Sequence, residues 1–272
     1  MAIKLLVLDI DGTIAGESNH IRPKVKDAIR KVQAKGIAVT LATGRMYHSA
    51  LPFHQAIAST FPLIAYNGAW TKAPQQDQLL REFALPTTLA LEILDYFEQA
   101  GLRQKLEVHC YHQDQLYVRE ITPETERYVA RSGVQPHAVG DLRPIIEKST
   151  IKLLAISPQV GLIQALITDL HQRYATHDVH LTQSTEIYFE ITHAKANKGL
   201  AVQHLAEDYL GLQPEQVMAI GDNFNDLEML RYAGLSVAMG NAPEPVQAVA
   251  DWITDDVEAD GVALALEKFL LA

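Results

Sequence analysis

The strongest constraint on this chain is a set of short apolar runs that each stop at an acid, an amide or a glycine. Leu5-Leu6-Val7-Leu8 stops at Asp9-Ile10-Asp11-Gly12-Thr13, and Ile37-Ala38-Val39-Thr40-Leu41 stops at Ala42-Thr43-Gly44-Arg45. Leu63-Ile64-Ala65-Tyr66 stops at Asn67-Gly68, and Val217-Met218-Ala219-Ile220 stops at Gly221-Asp222-Asn223. Leu235-Ser236-Val237-Ala238-Met239 stops at Gly240-Asn241. Runs of this length with little polar alternation suit strands covered on both faces, as in a parallel sheet. Helical patterns such as Pro23 to Lys35 and Met46 to Ser59 separate several of them. Strand and helix in alternation predict a doubly wound α/β core. Ligands of an open parallel sheet bind outside the carboxyl ends of its strands. The polar side chains of these motifs collect at those ends.

From about Thr71 to Ile191 the pattern changes. Alternating segments, Glu107 to Tyr111 and Leu116 to Arg119, flank a short polar turn. A helical stretch runs from Thr87 to Ala100 after Pro86, and another from Gln159 to Tyr174 after Ser157-Pro158. Hairpins mixed with helices predict a separate α+β unit inserted into the core. The expected division is a discontinuous α/β core, residues 1–80 and 192–272, around an inserted α+β unit, residues 81–191. No internal repeat or low-complexity segment interrupts it.

Composition removes several function classes. The 33 acids against 23 Lys+Arg leave a formal net charge of −10, a poor basis for non-specific binding to nucleic acid or to an anionic membrane. Cys110 is the single cysteine, which excludes an internal disulfide framework. No uncharged apolar run reaches the ~18 residues of a membrane span. The first residues lack the pattern of a secretory leader, so a cytoplasmic protein is expected.

The carboxylates carry the chemistry. Asp9 and Asp11 follow a buried strand, and Gly12 lets the backbone turn sharply beside a ligand. Side chains alternate along a strand, so both carboxylates face one side if the extended geometry persists. Two close carboxylates repel unless a cation or a shared proton relieves them, and a hard dication such as Mg²⁺ takes oxygen ligands of this sort. Asp222 and Asn225-Asp226 repeat the theme after another strand. A helix cap accounts equally well for Asp226, but not for Asp222, which precedes the turn. Thr43-Gly44-Arg45 offers a hydroxyl, backbone N–H groups and a helix start, which together make an anion site; a capping threonine is the plainer alternative. Lys198-Gly199 stands where the chain re-enters the core. A lysine there is ordinarily solvated, yet its position suits contact with a phosphate. Three carboxylates, a hydroxyl and a lysine in this order fit phosphoryl transfer through an aspartate, whose repulsion from a phosphoryl group must be cancelled by metal, cation and hydrogen bonds.

On these motifs the chain resembles the haloacid dehalogenase superfamily of phosphatases, and within it the Cof-type sugar-phosphatase branch, over essentially its whole length. Asn67-Gly68, Val237 to Ala242 and Asp260-Gly261-Val262-Ala263 are similar to features of that branch. The resemblance implies a catalytic core in residues 1–80 and 192–272, with residues 81–191 as its cap. It implies Asp9 as the nucleophile and Asp11 as the acid and base. It implies Mg²⁺ held by Asp9, the Asp11 backbone carbonyl and Asp222. Gly12, Thr43, Gly44, Lys198 and Asn225 would bind the phosphate or substrate, and Asp226 would orient Lys198 or a metal-bound water. The implied activity is Mg²⁺-dependent hydrolysis of small phosphate monoesters, sugar phosphates first, through an aspartyl-phosphate, with a cap that opens and closes. Two other outcomes suit the same fold: a phosphosugar mutase, and a catalytically silent binder of phosphate ligands.

Further side chains have plainer readings. His109, Cys110 and His112 cluster, but His109 falls on the opposite strand face from the other two, so Cys110 is read as packing. Arg45 and His48 start a helix near the site, where Arg45 contacts substrate or pairs with an acid. Tyr188 and Glu190 are read as cleft lining or packing. The acidic run Asp251, Asp255, Asp256, Glu258 and Asp260 is read as a solvated loop.

Overall fold

Leu5–Leu8 forms strand β1 with all four residues buried, as a run with no polar face requires. The computed structural model that places it describes residues 2–75 and 77–272. Helix α1 (Pro23–Ala34) opens on proline, whose missing N–H is harmless in the first turn, and buries Val25, Ala28, Ile29 and Val32 on one face. It ends before Gly36, which takes φ +80°. Strand β2 (Ala38–Leu41) lies parallel to β1, with Leu5 opposite Ala38 and Leu8 opposite Leu41. Helix α2 (Tyr47–Ala56) then leads to β3 (Leu63–Ala65).

Strand β3 departs from the expected parallel sheet. It meets the line of β2 through a single parallel bridge, Ala42 to Ile64. Its ladder partner is antiparallel β4 (Trp70–Ala73), and with β5 (Gln78–Glu82) they make a three-stranded sheet. The link between β3 and β4 is a short turn, far below the dozen or so residues a parallel crossover needs.

Two compact units result, one of Met1–Arg81 with Asn197–Ala272 and one of Glu82–Ala196. The second contains α3 (Thr87–Phe97), α4 (Ala100–Arg103), β6 (Glu107–His112), β7 (Gln115–Val118), α5 (Pro123–Ser132) and β8 (Pro136–Ala138). It continues with α6 (Arg143–Ile146), β9 (Lys152–Ile156), α7 (Val160–Arg173), β10 (Val179–Thr185) and β11 (Tyr188–His193). Its sheet runs β10-β11-β9-β6-β7-β8. Alternate residues Val108, Cys110, Leu153, Ala155, Phe189 and Ile191 share an apolar core with α3 and α7. The residues between them, including His109, Tyr111, Lys152 and Glu190, are buried and polar or amphipathic. Cys110 is therefore a packed residue, held to Thr150 Oγ1 at 3.1 Å, and burial pushes its thiol up to about 11.

The chain returns through α8 (Lys198–Gln203), β12 (Val217–Gly221), α9 (Leu227–Tyr232) and β13 (Leu235–Ala238). It closes with α10 (Glu244–Gln247), β14 (Trp252–Ile253) and α11 (Gly261–Leu266). The core sheet is parallel in the order β14-β13-β12-β1-β2. From β1 the chain moves to one side through β2 and later returns on the other through β12. That reversal is a topological switch point, where such sheets leave a crevice at their carboxyl ends. The register sets Leu8 opposite Ile220, so Asp9 and Asp222 emerge as neighbours. Among the described residues no helix is long and apolar enough to cross a membrane.

Candidate active site

Asp9 adds one more rung to the ladder, its N–H donating to the Ile220 carbonyl at 3.0 Å. The extended geometry ends there. The Ile10 carbonyl then accepts the N–H groups of Thr13, Ile14 and Ala15 at 3.3, 3.0 and 2.9 Å. Gly12 closes this turn at φ +81°, and a Cβ on it would stand 2.1 Å from Asp222 Oδ2. Only glycine permits the two strand-end loops to approach so closely.

Lys198 starts α8, whose cap is the Asn197 side chain accepting the Leu200 N–H at 2.8 Å. The lysine is fully buried. Its Nζ donates to Asp9 Oδ1 and to Asp226 Oδ1, both at 2.6 Å. Asp226 Oδ2 accepts the N–H groups of Asp222 and Asn223 at 2.8 and 3.0 Å. Asp222 Oδ1 accepts Thr13 Oγ1 at 2.8 Å. Asn241 Nδ2 donates to the Gly12 carbonyl at 3.0 Å and approaches Asp222 Oδ2 at 3.4 Å, while Asn241 Oδ1 accepts the Val257 N–H.

Oxygens of Asp9, Asp222 and Asp226 lie within 4.8 Å of one another, and one ammonium sits among them. Burial pushes the Asp9 carboxyl up to about 7, against the pull of Lys198 and helped by Asp226 and Asp11. Asp222 is raised as well, by burial first and then by Asp9 and Asp226. Burial alone would lower Lys198, but Asp226 and Asp9 outweigh it and hold the ammonium charged. A surplus of buried negative charge on hard oxygens is the donor set a divalent cation fits. Asp226 has both oxygens engaged by Lys198 and the backbone, whereas Asp9 Oδ2 accepts no hydrogen bond from the described residues. Asp9, Asp222 and Asp226 together form the acidic group that could hold a metal ion, and of the three only Asp226 has every carboxylate contact at 3.0 Å or less on both oxygens.

Asp11 is held apart from this cluster. Arg45 grips its carboxylate with Nε and an Nη, each at 2.7 Å, and also donates to Asn19 Oδ1 at 2.6 Å. The guanidinium lies 4.5 Å above the Phe53 ring. Thr43 is buried and stands outside the helix, since the residue capping α2 is Met46. Its hydroxyl accepts the Arg45 N–H at 3.1 Å, and Gly44 lies between them, half-buried. Asn225 is buried, with Nδ2 donating to Asn67 Oδ1 at 3.1 Å.

Thr13, Asn67 and Asn241 were not legible as site residues from motif spacing, although each lies within or beside a motif. The acidic run is not simply solvated. Arg22 pairs with Glu258 and Asp260, and Asp251 Oδ2 accepts both N–H and hydroxyl of Ser236 at 2.8 Å. In the second unit Glu190 accepts from Lys152 at 3.2 Å and from Ser184, and His109 meets Glu107 at 2.8 Å.

A family model described as haloacid dehalogenase-like hydrolase matches residues 6–266. The chain is 29% identical over 273 residues to the 5-amino-6-(5-phospho-D-ribitylamino)uracil phosphatase YitU of Bacillus subtilis, covering 97% of each. It resembles the crystal structure of TM0651 from Thermotoga maritima at 30% identity and TM-score 0.80, covering 98% of this chain and 97% of that one. A haloacid dehalogenase-like hydrolase from Bacteroides thetaiotaomicron superposes at TM-score 0.84 and 26% identity, covering 98% and 99%.

Proposed function

The chain belongs to the haloacid dehalogenase-like hydrolases and is a phosphoric monoester hydrolase, and we propose that it hydrolyses small sugar-type phosphates with Mg²⁺ through an aspartyl-phosphate on Asp9. The observation that carries this reading is the buried Asp9 carboxylate, with Oδ1 on the Lys198 ammonium at 2.6 Å and Asp222 beside it. Its surroundings offset the repulsion between a carboxylate and a phosphoryl group, which is the main electrostatic obstacle to attack. The sugar-type preference is supported by the phosphoribityl substrate in the name of the Bacillus subtilis relative.

Asp9 attacks phosphorus and the ester oxygen leaves. Asp11 gives that oxygen a proton, then takes one from the water that attacks the aspartyl-phosphate, releasing phosphate and restoring both acids. The Arg45 grip keeps the Asp11 carboxylate in one orientation for both transfers. Thr43, Gly44, Lys198 and Asn225 hold the phosphoryl oxygens, and Gly12 lets the backbone approach them. Asp226 holds Lys198 in place. Asp9, the Asp11 carbonyl and Asp222 would hold Mg²⁺, which when bound supplies positive charge against the phosphoryl oxygens. Residues 82–196 serve as the inserted cap.

Phosphate release from a panel of sugar phosphates, nucleotides and pyridoxal phosphate tests this, with wild type and Asp9→Asn, each in Mg²⁺ and in chelator. Release should need both Asp9 and Mg²⁺, with the variant at background. Equal turnover in chelator, or an active Asp9→Asn, refutes the reading. An isomeric sugar phosphate without free phosphate identifies a mutase instead.

A further inference from the structure

We propose that Asn67 is a positioning residue of the phosphoryl site, which sets the direction of the Asn225 carboxamide. The inference rests on the phosphatase reading. It starts from backbone strain: Tyr66, Asn67 and Gly68 take φ of +51°, +54° and +92° in succession. Glycine adopts that region freely, but residues with a Cβ pay for it, and such strain persists only where the surroundings hold it.

The holding contacts come from the segments that carry the site. The Tyr66 N–H donates to the Arg45 carbonyl, and the Asn67 N–H to the Thr43 carbonyl, both at 2.9 Å. A Cβ on Gly68 would stand 2.5 Å from the Asn197 carbonyl, at the cap of the helix that begins with Lys198. The Asn67 side chain is fully buried and its Oδ1 accepts Asn225 Nδ2 at 3.1 Å. One strained turn therefore touches the Thr43 loop, the start of the Lys198 helix and Asn225.

This contact decides which way the Asn225 amide faces. Turning that amide over alone would set two carbonyl oxygens against each other. As it stands, Asn225 Oδ1 is buried and accepts from no donor among the described residues, an arrangement kept where a ligand or water supplies the missing hydrogen. A phosphoryl oxygen is an acceptor and cannot do so. Asn67 thus commits Oδ1 to a hydrogen-bearing group, such as a water, and keeps the second N–H of Nδ2 for a phosphoryl oxygen.

Asn67→Gly tests the assignment, because glycine accepts the left-handed conformation and only the carboxamide is lost. It is compared with Asn225→Ala and the double variant, using p-nitrophenyl phosphate with Mg²⁺, inhibition by inorganic phosphate, and thermal unfolding. Asn67→Gly should stay folded, with relief of backbone strain offsetting part of the lost buried hydrogen bond, yet lose about tenfold in kcat/KM and bind phosphate more weakly. The double variant should be no worse than Asn225→Ala, since the two residues act as a unit. Activity of Asn67→Gly within about twofold of wild type, or losses that multiply in the double variant, would overturn the proposal. The Asn225 side-chain amide signals of ¹⁵N-labelled wild type, identified by their loss in Asn225→Ala, give a test that does not need the variant to fold. They should move when inorganic phosphate is added with Mg²⁺, and unmoved signals overturn the assignment. A wild type that hydrolyses no ester refutes the phosphatase reading, while this titration, repeated in Asn67→Gly, where the shift should be smaller, still judges Asn67 and Asn225.

Discussion

Replacing Lys198 by methionine should destabilise the core unit, most strongly at high pH and without divalent cation. Methionine keeps an apolar stem of similar length but removes the ammonium that meets Asp9 Oδ1 and Asp226 Oδ1 at 2.6 Å each. At an effective dielectric of about 20, one such pair attracts by roughly 6 kcal/mol. Desolvation of each buried ion opposes this by several kcal/mol, so the net loss falls at about 3–5 kcal/mol, as for a buried pair broken from one side. Folded domains are stable by only about 5–15 kcal/mol, and the thermal midpoint should fall by about 10 °C. The pH dependence has a definite sign. The Asp9 carboxyl stands at about 7 when folded, against an ordinary 3.8, and losing the ammonium raises it further. A carboxyl raised in this way contributes its stability below the unfolded value and loses it as pH rises through the folded one. The gap between wild type and variant should therefore widen from about pH 5 to pH 8 and narrow again when Mg²⁺ replaces part of the missing charge. Circular-dichroism melts across that range, in chelator and in Mg²⁺, measure it. A gap below about 2 °C at pH 8, or one that widens toward pH 5, would refute the reasoning.

Three further outcomes are expected. Gly12→Ala places a Cβ 2.1 Å from Asp222 Oδ2 at φ +81°; it should cost about 1–3 kcal/mol and weaken Mg²⁺ binding by calorimetry, and unchanged binding would count against the close approach. Arg45→Lys exchanges a two-point grip on Asp11 for a point charge; kcat should fall about tenfold with little change in melting, as steady-state kinetics and a melt on the same sample would show. Burial holds His109 below its ordinary value despite Glu107, so its contribution to stability is present above about pH 6.5 and is lost on acidification, by up to about 1.4 kcal/mol per pH unit. His109→Gln, which keeps a donor for Glu107, should flatten urea denaturation midpoints between about pH 7 and pH 5, and an unchanged slope would dismiss His109 as the cause.

The sequence by itself determined strands β1, β2, β12 and β13, the class of core and the loops where chemistry collects. Continuous apolar runs of this length suit doubly covered strands, and their carboxyl ends place Asp9, Thr43 and Asp222 at one rim. These are local signals of periodicity and turn chemistry, readable within a few residues. The apolar run of β3 looks like the others, yet it keeps only one parallel bridge to the β2 line, because the short link after it gives it β4 as an antiparallel ladder partner.

Tertiary structure decided what each side chain meets. Lys198 taken alone reads as an ordinary solvated lysine and only its place at the core re-entry marks it; its burial follows from the sheet order, which brings its helix against Asp9 and Asp226. Thr13 reaches Asp222 across 209 positions, and Asn225 reaches Asn67 across 158. Asp226 approaches Asp9 and Asp222, yet its oxygens are taken by Lys198 and two backbone N–H groups. The physical reason is that periodicity specifies which face of an element is buried, whereas hydrogen bonds between distant loops depend on strand order. That order places β12 beside β1, and with it the second half of the site against the first.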